Sequence, residues 1–405
     1  MALIVQKYGG TSVADCRHIE NVAERVIAGK RQGDNVVVVL SAMSGETNRL
    51  IDLAEQIHTR PDPRELDVLL STGEQVTISL MAMALKKRGF GARSFLGSQI
   101  TIETDTAHGK ARIMNIATEE LKKTITRGHI PVIAGFQGIT PEGDITTLGR
   151  GGSDTTAVAV ATALDADVCE IYTDVDGIYT TDPNICPSAR KIDRISYEEM
   201  MEMASLGAKV LEIRSVEYAM RYEIPLHVRS SFTDSLGSYV VKEDEIMEQT
   251  LVSGVPYSTN EARITISKVP DRPGIATKIF SPISEANIVV DMIIQNTRAS
   301  DLTDMTFTVS QADYEQAMEI VKGVASEIGA ERVAGDPDIA KVSIVGVGMR
   351  NHSGVASKMF DILAGHGINI LMISTSEIKI SCIIQRKYTE LAVRALHEGF
   401  GLSDQ

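Results

Sequence analysis

The sequence predicts an α/β fold in which helices sandwich a mostly parallel sheet, followed by two smaller α+β modules. Three features point to it: short β-rich runs alternate with helical patterns over residues 1–230, two of these runs are continuously apolar, and the last third of the chain contains a repeat. Strand-helix alternation is typical of parallel sheets with helices on both faces. Strands buried on both faces are continuously apolar, as Val36–Leu40 and Val132–Ala134 are.

The predicted elements of this alternating region follow in chain order. The predicted strands are Ala2–Lys7, Asn35–Ser41, Ile130–Gly135, Val168–Thr173 and Pro225–Arg229. The predicted helices are Ser12–Arg31, Thr47–Ile57, Arg64–Arg88, Lys110–Arg127, Thr155–Leu164 and Lys209–Tyr222. Ser12 with Asp15 matches a helix N-terminus, because short polar side chains cap free backbone N–H groups there.

The C-terminal part of the chain contains two copies of one pattern. Gly274–Phe280 resembles Gly354–Phe360, and each copy reads strand, glycine-containing turn, helix, strand, strand, helix. A repeat with this spacing predicts two copies of a small α+β module rather than a solenoid. The polar stretch before the first copy is interpreted as a connection. The predicted organisation is an α/β domain over 1–245, a linker over 246–262, and modules over 263–337 and 338–405.

Composition and charge exclude several classes of protein. The 405 residues are 43% hydrophobic and 23% charged, as in soluble globular chains. The formal net charge of −14, with no long Lys/Arg run, argues against nucleic-acid partners. No apolar run reaches the length of a membrane helix, so no membrane partner is expected. The four cysteines lack metal-ligand or disulfide spacing, which favours a cytoplasmic protein with reduced thiols and no metal site.

Two glycine-rich segments could carry chemistry. In Lys7–Ser12 a lysine and two glycines precede a predicted helix, where backbone N–H groups hold anions. A tight turn with a solvated lysine explains that segment equally well. In Thr146–Asp154 three glycines and Arg150 directly precede a helix, and a guanidinium can clamp a carboxylate through two hydrogen bonds. Here a binding role is favoured over a flexible loop with an N-cap.

Local structure explains four further positions at least as simply as a binding role does. Thr47 fits an ordinary N-cap, Glu74 a surface glutamate, Tyr172–Pro183 an Asp-Gly turn between strands, and Lys209 a solvated lysine. Gly73, beside Glu74 within a predicted helix, indicates either a break or a close approach. The Walker A, protein kinase, Rossmann and HExxH motifs are absent from the sequence.

Taken together, the motifs K-Y-G-G-T-S, L-S-T-G-E, T-T-L-G-R-G-G-S-D and T-D-V-D-G-I-Y-T-T-D-P resemble, in this order, those of the aspartate kinases of the amino acid kinase superfamily. The repeat resembles two ACT regulatory domains, so the resemblance covers essentially the whole chain. It implies an amino acid kinase fold that uses ATP with Mg²⁺ to phosphorylate the β-carboxylate of L-aspartate. The product would be 4-phospho-L-aspartate, the first intermediate in lysine, threonine and methionine biosynthesis.

The resemblance also implies roles for individual residues. Lys7 and Asp154 would be catalytic. The aspartate-binding residues would be Thr47, Glu74, Arg150, Gly151, Gly152 and Ser153. The ATP-binding residues would be Lys7, Tyr8, Gly9, Gly10, Ser41, Thr173, Asp174, Tyr179, Asp182, Asn184, Lys209 and Val210. The effector-binding residues, for lysine and threonine, would be Asp271, Gly274, Ile275, Ala276, Asp291, Gln295, Asn369, Ile370, Ser376 and Glu377.

Two departures from the family pattern bear on these expectations. Asn184 stands where many members have an arginine, which puts one phosphate contact in doubt. Leu211–Arg214 replaces the L-H-P-R of many members and is similar to the short, lysine- and threonine-regulated branch with a nested subunit. Met247 is a candidate internal start for such a subunit, so a homodimer or a hetero-oligomer is expected. Two alternatives are a kinase for another acidic amino acid and a catalytically inactive amino acid sensor.

Overall fold

The chain forms two compact units, seen in a computed structural model that describes residues 1–208, 210–246, 251–297 and 302–403. The first unit comprises Met1–Ile178, Lys191–Ser205 and Lys209–Glu248, and the second comprises Tyr179–Arg190, Leu206–Ala208 and Gln249–Gln405. The segments Tyr179–Arg190 and Leu206–Ala208 fall inside the predicted domain 1–245, and by their contacts both belong to the second unit.

The elements that precede the two C-terminal copies are as follows. The strands are β1 Leu3–Tyr8, β2 Asn35–Leu40, β3 Ala92–Phe95, β4 Ile102–Thr104, β5 Ile113–Ile116, β6 Ile130–Ala134, β7 Gln137–Ile139, β8 Ile145–Thr147, β9 Val168–Thr173, β10 Ile178–Tyr179, β11 Lys191–Ile192, β12 Arg194–Ser196, β13 Leu226–Ser230 and β14 Ser238–Val241. The helices are α1 Cys16–Arg31, α2 Glu46–Ile57, α3 Pro63–Leu70, α4 Thr72–Lys87, α5 Glu119–Thr126, α6 Gly152–Leu164, α7 Tyr197–Ser205 and α8 Ile213–Tyr222.

The main sheet of the first unit has the strand order β12-β14-β13-β9-β1-β2-β6-β3. Its pairings are parallel except for β13 with β14. The five predicted strands are its β1, β2, β6, β9 and β13, each displaced by at most one residue at either end. Because parallel strands share a direction, the residues that follow β1, β2, β6 and β9 meet at one edge of the sheet.

A second, four-stranded sheet in this unit has the order β5-β4-β7-β8. It corrects the prediction of a helix over Lys110–Arg127, since Ile113–Ile116 pairs antiparallel with β4 and only Glu119–Thr126 is helical. Local helix propensity is worth little per residue, and the strand pairing of these residues outweighs it.

The other predicted helices differ from the observed ones mainly at their starts. The helix predicted from Ser12 begins at Cys16, because Asp15 is the N-cap and accepts the backbone N–H of His18. The helix predicted over Arg64–Arg88 is two helices that meet at Ser71. The helix predicted from Thr155 begins at Gly152, and the one predicted from Lys209 begins at Ile213.

Among the residues that the structure describes, one stretch, Pro63–Lys87, is long and apolar enough to cross a membrane by length and composition alone. It comprises α3 and α4, and 56% of its most apolar window is buried inside the fold. Core helices of soluble proteins pass the same test, so the stretch is weak evidence for a membrane span. Its buried side chains, such as Met81 and Leu85, pack with α1, β2 and β6 in the core of the first unit.

The second unit is built on a sheet with the order β16-β17-β15-β18-β20-β19, and every pairing described in it is antiparallel. Its strands are β15 Tyr257–Pro270, β16 Val290–Thr297, β17 Leu302–Val309, β18 Arg332–Val345, β19 Met372–Thr375 and β20 Lys379–Gln385. Its helices are α9 Ile275–Glu285, α10 Tyr314–Ile328, α11 Val355–Gly365 and α12 Thr389–Gly399. The two copies therefore follow the predicted element order. Gly274 and Gly354, at φ +88° and +90°, occupy matching helix starts where the left-handed backbone favours glycine.

The long strands β15 and β18 link the two copies within one sheet. The part of β15 after Ala262 pairs with the first residues of β18, whereas Tyr257 and Ser258 pair with Val342 and Lys341 of the second copy. The predicted linker 246–262 thus contains a strand that extends the sheet of the second copy. Sequence spacing could not indicate this, because the strand precedes the first copy along the chain.

Candidate active site

A cavity of about 900 Å³ lies in the first unit, at the edge where β1, β2 and β9 end and α6 begins. Most of the predicted catalytic, substrate and nucleotide residues of this unit line it. They are Lys7, Gly9, Gly10, Ser41, Thr47, Glu74, Arg150, Gly151, Gly152, Ser153, Asp154, Thr173 and Val210. Residues far apart in sequence are brought together by the common direction of the parallel strands.

Lys7 and Asp154 form an ion pair at one side of this cavity. Lys7 Nζ lies 2.5 Å from Asp154 Oδ1, and the two side chains are 11% and 12% exposed. Lys7 comes from the end of β1 and Asp154 from the first turn of α6, where backbone N–H groups carry partial positive charge. The pair holds an ammonium group in a fixed position beside the glycines that follow β1.

Glu74 contributes a buried carboxylate to the same cavity. Its side chain is 3% exposed, and Oε1 accepts the backbone N–H of Ala42 at 3.0 Å. Oε2 is buried without a hydrogen-bond partner among the described residues. Burial raises the pKa of Glu74 to about 7. A carboxylate held in this way gains most from a cationic partner, so it is suited to bind a ligand ammonium group.

Gly73 explains how Glu74 reaches the cavity. A Cβ on Gly73 would lie 2.8 Å from the Cβ of Ala42, so only glycine lets α4 approach the residues after β2. The sequence predicts either a helix break or a close approach here, and the structure contains both, since the helix is interrupted at Ser71.

Arg150 lies at the exposed rim of the cavity, and neighbouring residues fix the loop that carries it. Arg214 donates to the backbone carbonyls of Leu148 at 2.6 Å and Ala111 at 3.0 Å. Because Leu148 and Gly149 directly precede Arg150, these two hydrogen bonds restrain the backbone position from which the Arg150 side chain extends. Arg214 lies in the segment that departs from the family pattern, which was the only sequence signal for it.

Asp67 is a second buried group that sequence reasoning missed. It is 1% exposed and accepts the backbone N–H of Gly109 at 3.1 and 3.0 Å and the Thr147 hydroxyl at 2.5 Å. His108 Nδ1 lies 2.8 Å from Asp67 Oδ2. Asp67 therefore ties the segment at Gly109 to β8, immediately before the glycine-rich loop. A lone Asp in an amphipathic helix carries no sequence signal of such a role.

Phe136 also lines the cavity and was not predicted. Its φ is +68°, a left-handed backbone that is uncommon for a bulky residue. Its N–H is bonded to the Thr156 hydroxyl and its carbonyl accepts the N–H of Leu148, so α6 and the segment after β8 hold it in place.

Tyr8 and Asp174, both predicted to contact nucleotide, lie outside the cavity lining. Tyr8 is fully buried, stacks on Tyr172 at 4.5 Å between ring centroids, and donates its hydroxyl to Gln6. Burial raises the pKa of Tyr8 well above its usual value. The Tyr8 side chain is thus a core residue, which its place in a strand buried on both faces explains.

The remaining predicted nucleotide residues fall elsewhere. Tyr179, Asp182 and Asn184 belong to the second unit. There Asp182 accepts the Tyr257 hydroxyl at 3.0 Å and both the backbone and side-chain N–H groups of Asn184. Lys209 lies outside the described residues, as does Met247.

The predicted effector residues lie between β15 and the first turn of α9, within β16, and on either side of β19. Those exposed are Asp271, Gly274, Ala276, Asp291, Gln295, Asn369, Ser376 and Glu377, while Ile275 is buried and Ile370 half-buried. Asp291 already has a cationic partner, because the Lys341 ammonium donates to it. The same ammonium lies 3.0 Å from the Glu261 carboxylate. The Lys341 side chain is only 5% exposed.

No cluster of three or more His, Cys, Asp or Glu side chains that could hold a metal occurs within the described part of the chain. The cavity instead offers Lys7, glycine backbone and a helix N-terminus, which suit anionic phosphate groups. A divalent ion would therefore be held largely by those phosphates, as is usual for Mg²⁺ at nucleotide sites.

The chain resembles known proteins over its whole length. The amino acid kinase family profile matches residues 2–230, and ACT domain profiles match 263–326 and 342–400. An aspartate kinase of Stutzerimonas stutzeri is 59% identical over 99% of this chain and 98% of its own length.

Two solved structures of E. coli aspartokinase III share the fold. The complex with aspartate and ADP is 28% identical, with a TM-score of 0.80 over 98% of this chain and 99% of its own. The complex with lysine and aspartate has a TM-score of 0.79, with the same identity and coverage. The predicted amino acid kinase fold with ACT domains is confirmed. The chain belongs to the aspartate kinase family.

Proposed function

We propose that this chain transfers the γ-phosphoryl group of ATP to the β-carboxylate of L-aspartate and releases 4-phospho-L-aspartate. The observation that carries the proposal is one cavity lined by the Lys7–Asp154 pair, the buried carboxylate of Glu74 and the guanidinium of Arg150. The E. coli relative that binds aspartate and ADP supports it.

The phosphate end of this reaction needs positioning and positive charge rather than covalent help. Lys7 would neutralise the transferring oxygens, and Asp154 would orient the Lys7 ammonium. The backbone N–H of Gly10, with the Ser41 hydroxyl, would hold the phosphates, and Gly9, which has no side chain and whose own N–H donates to the carbonyl of Tyr172, would let them approach. Mg²⁺ carried by ATP would supply further charge. The nucleophile is the substrate's own carboxylate, so no general base is required.

The amino acid end needs a cation site and an anion site. Glu74 would bind the substrate ammonium, because the buried carboxylate with its unpartnered oxygen gains a cation there. Arg150 would bind a substrate carboxylate through two parallel hydrogen bonds. Thr47 and Ser153 would add hydroxyl groups. Since the two charged groups come from α4 and the loop before α6, their separation would select the length of the amino acid.

An ADP-release assay tests this function against its alternatives. We expect ATP-dependent ADP release with L-aspartate and a rate lower by at least about tenfold with L-glutamate or N-acetylglutamate, since a mismatched buried polar site discriminates strongly. Faster release with glutamate would favour a kinase for another acidic amino acid. Release that no amino acid stimulates, with intact amino acid binding, would favour an inactive sensor.

The same proposal extends to regulation by the C-terminal copies. Asp271, Gly274, Ile275, Ala276 and Gln295 would bind threonine, with Asn369 and Ile370 supplied by the partner copy. Asp291, Ser376 and Glu377 would contribute to lysine sensing, and the lysine complex of the E. coli relative supports a lysine site. The coupling free energy between an effector site and a substrate site is typically about 1–3 kcal/mol.

Substitutions in the two copies test this regulation. Gln295→Ala and Ser376→Tyr should retain kinase activity and lose inhibition by lysine plus threonine, whereas exposed Gln316→Ala is the matched control. Sensitivity equal to wild type in both variants would contradict the assignment. So would full inhibition of an active chain that lacks residues 247–405.

We also propose that the enzyme is cytoplasmic, acts at the first step of lysine, threonine and methionine biosynthesis, and assembles as a homodimer or with a nested regulatory subunit. Met247 would start that subunit. Expression of the wild-type coding sequence should then yield a second, short C-terminal product, which Met247→Leu abolishes. A single full-length product from both would contradict the nested subunit.

A further inference from the structure

A second cavity, of about 650 Å³, lies wholly within the second unit and has no role in the proposed reaction. It is formed where the start of α12 faces β15 and the segment Tyr179–Arg190. Its lining residues are Ile185, Tyr257, Thr259, Arg386, Lys387, Thr389, Glu390, Leu391 and Arg394.

The charge of this cavity is opposite to that of the chain. Its lining carries three cations and one carboxylate, a formal charge of +2 in a chain of −14. Lys387 has no carboxylate partner among the residues that the structure describes; its ammonium lies 4.8 Å from the ring centre of Tyr388. Arg386 donates to the backbone carbonyl of Pro337 at 2.8 Å, and its Nε lies 3.6 Å from Asp338.

Arg394 is only partly neutralised as well. Its Nη2 lies 3.4 Å from Glu390, a pair whose members are 54% and 69% exposed, so water screens their attraction. The start of α12 lacks a side-chain cap and adds partial positive charge to this side of the cavity. The cations thus retain capacity for a further anion.

Part of the cavity lining is apolar. It is formed by Ile185, the ring of Tyr257 and Leu391, which is 42% exposed. A lining of this kind beside a cluster of cations suits a ligand with an apolar or aromatic body and one compact anionic group. A phosphate monoester, close to a dianion at neutral pH, balances the +2 charge, and guanidinium groups bind phosphate through paired hydrogen bonds.

We propose that this cavity binds a phosphate monoester with an aromatic or apolar body, of the size of a nucleoside monophosphate. Arg386, Lys387 and Arg394 hold the phosphate, and Tyr257 and Leu391 contact the body.

The cavity is connected to the segment Tyr179–Arg190 through two of its lining residues. Arg394 Nε donates to the backbone carbonyl of Ile185 at 2.6 Å, and the Tyr257 hydroxyl donates to Asp182 at 3.0 Å. A phosphate that draws the Arg394 guanidinium competes with the Ile185 carbonyl for it. Ligand binding therefore loosens one of the side-chain contacts that hold this segment.

Calorimetry on the full chain tests the site. The protein is first saturated with ADP and L-aspartate, which fill the cavity of the first unit, and is then titrated with AMP, ribose 5-phosphate and inorganic phosphate. We expect one AMP per chain with a Kd below about 1 mM, weaker binding of the two probes without an aromatic body, and at least about tenfold weaker AMP binding in Lys387→Ala and Arg394→Gln. Exposed Lys322→Ala on α10 is the matched control for the loss of one positive charge.

Amide hydrogen exchange of the peptide covering Tyr179–Arg190 tests the connection. AMP should speed its exchange in the wild type and leave it unchanged in Lys387→Ala. Absence of AMP binding, or equal binding by Lys387→Ala, Arg394→Gln and Lys322→Ala, overturns the proposal. Both measurements are made without turnover, and Lys387 and Arg394 lie outside the cavity of the first unit, so loss of AMP binding in these variants does not depend on whether the proposed kinase reaction is correct.

Discussion

Replacement of Glu74 by glutamine should stabilise the unliganded protein and impair catalysis together. The wild-type carboxylate is 3% exposed, with one oxygen bonded to the Ala42 N–H and the other without a partner among the described residues. Glutamine has nearly the same shape and can still accept the Ala42 N–H. The substitution therefore removes the buried charge and leaves the packing of α4 intact.

The size of the effect follows from the pKa of Glu74, which burial raises from 4.5 to about 7. Between these values the folded chain binds more protons than the unfolded chain, so the free energy of unfolding falls as the pH rises. The full loss is about 3 kcal/mol and is complete above the folded pKa. Most of it, about 2.5 kcal/mol, develops between about pH 5 and pH 8.

Thermal unfolding of the unliganded protein measures this difference. At pH 5 the free energy of unfolding of Glu74→Gln should equal that of wild type to within about 1 kcal/mol. At pH 8 the Tm of the variant should be higher than that of wild type, by about 5–10 °C for a unit of this size. Glu55→Gln, at an exposed position on α2, is the matched control and should shift neither value.

Kinetics on the same variants should show the opposite change. Loss of a charged hydrogen bond to the substrate ammonium should lower kcat/KM for aspartate by about 10–150-fold, from the ~1.5–3 kcal/mol of such bonds. The reasoning is refuted if Glu74→Gln is no more stable than wild type at pH 8, or if its stability changes with pH as the wild type's does.

Three further substitutions test other parts of the structure. Lys7→Ala should lower kcat by about 10²–10³ with little change in aspartate affinity, because it removes one preorganised charge. Single-turnover rates measure this loss, with exposed Lys122→Ala as the control. Near-wild-type turnover in Lys7→Ala would exclude a role of Lys7 in the transfer. Arg150→Lys should raise KM for aspartate by about tenfold or more, because an ammonium cannot replace the guanidinium fork; an unchanged KM would show that Arg150 acts elsewhere. Lys341→Met should destabilise the second unit by about 3–5 kcal/mol in thermal unfolding, since it leaves the buried Glu261 carboxylate unpaired, and adding Glu261→Gln should recover part of that loss. Equal stability of the single and double variants would contradict this explanation.

The sequence by itself determined the parallel sheet, the duplicated C-terminal pattern and several of the charged and glycine residues of the cavity lining. Strands such as β2 and β6 are continuously apolar, and the segment before α6 places three glycines and Arg150 directly at a helix start. Lys7, Glu74, Arg150 and Asp154 could be identified because the motifs that carry them resemble, in this order, those of the aspartate kinases. These features depend on neighbouring residues along the chain, and local sequence therefore encodes them.

Only the tertiary structure decided features that join distant segments. Asp67 and Arg214 are single polar residues in ordinary helices, and their partners at Gly109 and Leu148 lie 42 and 66 residues away. The strand at Ile113–Ile116 reads as helix until β4 pairs with it. The beginning of β15 looks like a linker because its partner strand belongs to the second copy, beyond the whole of the first. In each case the stabilising contact forms only on folding, and no local pattern records it.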